Sequence, residues 1–171
     1  MFKKILIANR GEIAVRVIRT CKEMGIQTVA IYSEPDRTSP HVLLADEAYC
    51  VGPGTSSKSY LNVIKILEVI QKCNVDAVHP GYGFLSENCD FSEAVQKTGA
   101  VWIGPSTKTI TTMGDKMAAR KLVLKIGSPV VPGTTEPLTS INNAKETARK
   151  IGYPILIKAA GGGGGKGMRI I

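Results

Sequence analysis

The residues with the most chemistry to offer lie close together: Lys158, Gly161-Gly162-Gly163-Gly164-Gly165, Lys166, Gly167, Met168 and Arg169. Glycine loses more backbone freedom on ordering than any other residue, so such a run is either a flexible linker or a loop whose backbone closely approaches a ligand. Without Cβ atoms, successive N–H groups can point at phosphate oxygens from short range. Lys166 and Arg169 add positive charge, and Lys158 follows the apolar run Ile155-Leu156-Ile157 straight into the loop. Lys158 is either aimed at a phosphate or is an edge-strand lysine reaching for solvent. Lys116, in Met113-Gly114-Asp115-Lys116, is either a second phosphate contact or a surface lysine in the first turn of a helix. The chemistry such groups suit is the binding of a phosphorylated small molecule.

Two common phosphate loops fit less well. A Walker A loop needs Gly-x-x-x-x-Gly-Lys and then Ser or Thr. Gly165-Lys166 supply the central pair, but Ala160 replaces the first glycine and Gly167 the magnesium-binding hydroxyl. Gly162, Gly164 and Gly167 satisfy Gly-x-Gly-x-x-Gly literally, yet that fingerprint requires a helix to follow. Met168-Arg169-Ile170-Ile171 has strand character instead. The loop therefore reads as a flap between two antiparallel strands.

The elements that must carry these residues are legible from hydrophobic periodicity. Lys4 to Ala8 reads as a buried strand, and Glu12 to Met24 as a helix with Ile13, Val17, Ile18 and Cys21 on one face, stopped at Gly25. Strands follow at Thr28 to Tyr32, Glu47 to Val51, Ala77 to His79 and Val101 to Ile103. Helices are expected at Tyr60 to Lys72 and Phe91 to Lys97, with a turn-rich Ser33-Glu34-Pro35-Asp36-Arg37-Thr38-Ser39-Pro40 between the second and third strands. This βαβ alternation predicts an α/β fold with a Rossmann-like parallel sheet covered on both faces. Thr107 to Ile126 turns helical with a break at Gly114, and the prolines of 128–137 mark a boundary. A helix at Ile141 to Ile151 and a strand at Ile155 to Ala159 then lead into the glycine run.

Composition narrows the function classes. Among 171 residues, 43% are hydrophobic and 21% charged, enough apolar material for a core. No apolar run reaches the roughly 20 residues of a membrane span, and polar Asn9-Arg10-Gly11-Glu12 cuts the first apolar run too short for a signal peptide. The net charge of +8 is spread along the chain, with three phenylalanines and one tryptophan to stack on bases, so no nucleic-acid partner is expected. Four cysteines without a Cys-x-x-Cys pair read as free thiols in a reducing cytoplasm rather than as a zinc site.

Five motifs in order, ANRGEIAVR (8–16), HPGYGFLSEN (79–88), IGP (103–105), MGDK (113–116) and IGYPILIKAAGGGGGKGMR (151–169), closely resemble biotin carboxylase. This is the ATP-grasp ligase component of acetyl-CoA, propionyl-CoA, methylcrotonyl-CoA and pyruvate carboxylases. The resemblance implies an N-terminal Rossmann-like domain over 1–112, a helical connection over 113–131, and the beginning of an ATP-grasp lid, incomplete within 132–171. It further implies that ATP phosphorylates bicarbonate, and that the product delivers carbon dioxide to biotin on a biotin carboxyl carrier protein. A carboxyltransferase then passes the carboxyl group on; in acetyl-CoA carboxylase this serves fatty acid biosynthesis.

Carried over residue by residue, the resemblance assigns ATP contacts to Lys116, Lys158, Gly161, Gly162, Gly163, Gly164, Gly165, Lys166, Gly167 and Met168. It places Tyr82 and Gly83 near biotin, and Arg16, Arg19 and Glu23 on a homodimer surface. The alternative for Arg19 and Glu23 is an intrahelical i, i+4 pair, and for Tyr82 and Gly83 a plain glycine-rich turn. The Mg2+ ligands, the bicarbonate-binding arginine, the catalytic glutamate and the main biotin contacts are expected outside these residues. The chain alone is accordingly expected to be inactive. Two further classes stand beside this reading: another ATP-grasp ligase, such as carbamoyl-phosphate synthetase, and a non-catalytic dimerising or nucleotide-binding module.

Overall fold

The computed structural model describes residues 1–158 and 167–171. These divide into two compact units, Met1–Ile110 and Thr111–Ile171.

The first unit is an α/β layer structure. Its strands are β1 (Lys4–Ile7), β2 (Gln27–Ser33), β3 (Glu47–Gly52), β4 (Ala77–His79) and β5 (Val101–Trp102). Its helices are α1 (Gly11–Glu23), α2 (Pro40–Leu44), α3 (Val63–Cys73) and α4 (Cys89–Lys97). All strand pairs are parallel, in the order β3-β2-β1-β4-β5, so the order reverses between β1 and β4. This bears out the Rossmann-like expectation.

Period-two alternation explains why both faces are covered. On β1, Ile5 and Ile7 turn toward the side packed by Ala14, Ile18 and Cys21 of α1. Leu6 and Ala8 turn the other way, into a core with Ile66, Val69 and Ile70 of α3 and Phe91 and Val95 of α4. Ala77 and Val78 of β4 divide between the same two sides. Ile18, Ile66 and Phe91 are completely buried, and truncating Ile18 or Ile66 to Ala should cost about 2–5 kcal/mol each.

Local polar residues set the helix ends. Helix α3 begins at Val63 rather than Tyr60, because the Asn62 side chain caps it by accepting from the Lys65 N–H at 3.2 Å. Asn88 caps α4 in the same way through the Phe91 N–H at 2.8 Å. The turn-rich stretch holds more structure than its composition suggests: Pro40 opens α2 directly after Ser39.

Helix α5 (Thr107–Gly114) spans the division after Ile110, which is buried. The break expected at Gly114 has its cause one residue later. The Asp115 carboxylate accepts from the N–H groups of Met117 at 2.8 Å and Ala118 at 2.9 Å, starting the new helix α6 (Lys116–Lys125). The second unit also contains α7 (Ile141–Ile151) and the strands β6 (Leu156–Ile157) and β7 (Arg169–Ile170). The two strands are antiparallel, as the flap reading requires, and their ladder extends through reciprocal bonds between Ile155 and Ile171 at 2.9 and 3.0 Å. Within the expected 155–159, Leu156–Ile157 form β6, and Ala159 lies outside the described residues. Among the described residues of this unit, Ala148 is the buried apolar side chain, while Leu156, Ile157 and Ile170 remain exposed.

Candidate functional site

In open parallel sheets, ligands bind beyond the carboxyl ends of the strands where the order reverses. Here two loops meet at that point: Ala8 to Arg10 after β1, and Pro80 to Phe84 after β4. Asn9, which is 2% exposed, spans them. Its Nδ2 donates to the carbonyls of Pro80 at 2.8 Å and Tyr82 at 2.9 Å, while its Oδ1 accepts from the Arg10 N–H at 2.9 Å. Both amide hydrogens and the amide oxygen are thereby engaged.

The β4 loop can wrap this amide because Gly81 has φ +65°, and a Cβ there would stand 2.6 Å from Asn9 Nδ2. Gly83 and Phe84 continue in the left-handed region, at φ +69° and +44°. The Gly81 N–H donates to His79 Nδ1 at 3.0 Å, so that nitrogen is the unprotonated one. Burial also disfavours the imidazolium and lowers the His79 pKa. Tyr82 is thus held at both ends: its carbonyl by Asn9, and its hydroxyl by Glu12 Oε1 at 3.2 Å. Its ring stays 63% exposed, available to a ligand.

A second polar cluster flanks the β1 loop. The Asp36 carboxylate, 8% exposed, accepts from Tyr60 Oη at 2.6 Å, Ser33 Oγ at 2.9 Å and the Arg10 guanidinium at 2.8 Å. Burial pushes the Asp36 pKa up, but these donors outweigh it and hold the carboxyl below its ordinary value. The Tyr60 phenol is raised to about 12 by burial and by the adjacent carboxylate. Arg10 also lies over the Tyr60 ring, 5.6 Å from its centroid, and Phe84 stacks on that ring at 5.1 Å. In dinucleotide-binding sheets an acid after the second strand takes the ribose hydroxyls. Asp36 is fully engaged by protein donors, so this sheet is not built as a dinucleotide site.

The remaining sequence-predicted residues fall in different places. Arg16, Arg19 and Glu23 are all exposed on α1. Arg19 and Glu23 do not form the alternative ion pair among the described residues. In the second unit, Lys116 is the first residue of α6, and Lys158 is exposed just after β6. Gly167 (φ +74°) and exposed Met168 immediately precede β7. Gly161, Gly162, Gly163, Gly164, Gly165 and Lys166 lie outside the described residues. Among the described residues no group of three or more His, Cys, Asp or Glu converges as a metal site. No helix among them is long and apolar enough to cross a membrane.

Sequence reasoning missed Asn9, Arg10, Asp36 and Tyr60. Asn9 and Arg10 stand inside ANRGEIAVR, but their partners lie 26 to 73 residues away.

Comparison with known proteins matches both units. Residues 1–110 match the biotin carboxylase N-terminal domain, and residues 115–171 the ATP-binding domain of the carbamoyl-phosphate synthase L chain. The biotin carboxylase of Haemophilus influenzae is 55% identical over 172 aligned residues, covering 100% of this chain and 38% of its own length. The Campylobacter jejuni biotin carboxylase, solved as a beta-gamma-ATP complex, superposes with a TM-score of 0.94 at 46% identity, covering 99% of this chain and 38% of that one. The biotin carboxylase domain dimer of Hydrogenobacter thermophilus 2-oxoglutarate carboxylase, solved with MgADP, ADP and bicarbonate, gives 0.92 at 50% identity, covering 99% and 37%. The chain thus spans little more than a third of these relatives. With its first 110 residues matching that N-terminal domain, the chain belongs to the biotin carboxylase family.

Proposed function

We propose that this chain is the N-terminal part of an ATP-dependent biotin carboxylase, a ligase that uses ATP and bicarbonate to carboxylate biotin on a carrier protein. The observation that carries the reading is the pair of loops at the switch point. They present an exposed Tyr82 ring, fixed at its carbonyl and hydroxyl, beside the open backbone of Gly83, where a Cβ would meet nothing within 4 Å. The flat, uncharged ureido ring of biotin suits an aromatic face next to bare backbone. The engaged state of Asp36 supports placing the nucleotide elsewhere. Lys116 at the start of α6, Lys158 after β6 and the stretch Gly161 to Met168 are the residues we assign to ATP. Lysines and backbone N–H groups fit triphosphate oxygens. They do not fit Mg2+, whose carboxylate ligands are assigned to the part of the enzyme outside residues 1–171.

The domain division follows the same reading: a Rossmann-like domain over 1–112, a helical connection over 113–131, and the start of the ATP-grasp lid from 132. A carboxyltransferase is the downstream partner, and it chooses the acceptor, acetyl-CoA in fatty acid biosynthesis or another acyl-CoA or keto acid. The α1 face bearing Arg16, Arg19 and Glu23 is assigned to a homodimer contact. The free thiols of Cys21, Cys50, Cys73 and Cys89 suit the cytoplasm.

The test is to fuse this chain to the remaining length of the Haemophilus influenzae relative and measure ATP hydrolysis. Hydrolysis that requires bicarbonate and is stimulated by biotin is the expected result. A correctly folded fusion that hydrolyses ATP without regard to either would overturn the reading.

A further inference from the structure

We infer that Asn9 is a positioning residue for the biotin-facing loop, acting through Tyr82 and Gly83 without touching the ligand; this rests on the biotin reading of that loop. The geometry is specific. A single buried amide donates both hydrogens across the reversal of the sheet, to carbonyls 71 and 73 residues later in the chain. The two carbonyls flank Gly81, whose left-handed backbone and missing Cβ let the turn close around Nδ2.

Loops after parallel strands are otherwise free to move, because their backbone groups lie beyond the ladder. Here the β1–β4 ladder ends with the Ala8 N–H on the His79 carbonyl at 2.9 Å, and Asn9 continues the connection by side chain where backbone pairing stops. The orientation of Tyr82 therefore depends on a residue in the other loop. Glu12, from the first turn of α1, adds a second, solvent-exposed hold on the Tyr82 hydroxyl. The buried Asn9 contacts are the dominant ones, since water competes with them least.

Asp is the closest replacement in shape, and it replaces a two-hydrogen donor by an acceptor facing two carbonyls. In Asn9→Asp, hydrogen exchange of the 171-residue chain should accelerate at least tenfold at the Gly81 and Ser86 amides, while amides of the β2–β3 ladder change less than twofold. In the fused enzyme, the same substitution should raise the KM for biotin at least tenfold and move the KM for ATP less than twofold. Asn9→Ala and Gly81→Ala approach the contact from its two sides. Because the Cβ introduced by Gly81→Ala collides chiefly with Asn9 Nδ2 and Cγ, the double variant should be less impaired in biotin KM than the two single effects combined.

Uniformly faster exchange across the sheet would overturn the inference by making Asn9 a general stabiliser. So would a biotin KM that stays constant while the loop loosens, or strictly additive single variants. If the wild-type fusion shows no biotin stimulation, the functional reading fails, and the exchange experiment still decides whether Asn9 holds the loop.

Discussion

The Tyr60 hydroxyl donates to the buried Asp36 carboxylate at 2.6 Å, joining α3's approach to the end of β2. It also accepts from the Ser33 N–H at 3.0 Å. Tyr60→Phe keeps the stacking on Phe84 and the face offered to Arg10, and deletes these two bonds alone. A buried carboxylate and a buried N–H each lose a partner, so the substitution should destabilise the first unit by about 1–3 kcal/mol. Urea unfolding followed by the fluorescence of Trp102 measures this, and a cost under about 0.5 kcal/mol would mean that water replaces the hydroxyl freely.

One buried and one half-buried histidine, His41 and His79, predict a pH dependence. Burial lowers the pKa of both His41 and His79 from the ordinary 6.5. For His41, the Ile31 carbonyl and Asp36 pull upward and Arg10 downward, with burial the largest influence. Because the folded values lie below 6.5, the unfolded chain takes up protons first as pH falls, and stability drops from about pH 6.5 downward until the folded pKa is passed. The depressed carboxyls of Asp36 and Asp46 add a further loss once pH falls below their ordinary 3.8. Unfolding midpoints in urea should fall between about pH 7.5 and about pH 5.5. A flat profile over that interval would contradict the lowered pKa of both rings.

How far the sequence carried this reading depends on the distance over which each signal acts. The apolar run Ile5-Leu6-Ile7 and the helical spacing of Ile13, Val17, Ile18 and Cys21 are local signals, and they revealed the strand and the helix that covers it. The fully buried face of α1 is centred on Ala14, Ile18 and Cys21, with Ile13 and Val17 half-buried at its edge. The antiparallel β6–β7 ladder was legible because two short apolar runs flank the glycines. Asp115 shows the limit of local reading: the break was assigned to Gly114, whereas the capping carboxylate next to it starts α6. The Asn9 bridge and the Asp36 cluster were illegible, since they depend on which loops the topology brings together. Tyr82 was reached through family resemblance, because its exposed ring carries no periodic signal.

Burial predicts unequal protection along the chain. The first unit buries side chains on both faces of its sheet, whereas β6 and β7 expose theirs. Amides of β1, β2 and β4 should exchange only through global unfolding, and those of Ile155, Leu156, Ile157 and Ile170 through local opening at least a hundredfold more often, a difference of about 2.7 kcal/mol. Equal protection in both regions would show that the second unit is stabilised by more than its described packing.

The exposed Arg16, Arg19 and Glu23 on α1 predict weak self-association of this chain. Charge reversal in Arg19→Glu would set like charges against one another near the contact and should weaken the dimer at least tenfold, about 1.4 kcal/mol. Sedimentation velocity over a concentration series reads this directly. A dimer that survives the substitution unchanged assigns the contact to another face.

Lys158 provides the sharpest test of the phosphate reading. It is exposed just after β6, one residue beyond the rung that pairs Ile157 with Arg169. The described residues supply cationic side chains but no carboxylate cluster to bring Mg2+ to the triphosphate. A site lacking roughly 4 kcal/mol of metal and base contacts is about a thousandfold weaker, so micromolar affinity becomes millimolar. Ordering the five glycines around a ligand adds an entropic cost that so exposed a hairpin offsets poorly. ATP, GTP and inorganic triphosphate should therefore bind this chain with similar millimolar affinity, weakening steeply as salt rises. Lys158→Ala should reduce that binding at least tenfold, because one short-range charge is a large part of so small a total. Calorimetry that finds tight, adenine-selective binding surviving Lys158→Ala would place a complete nucleotide site elsewhere in these residues and remove Lys158 from it.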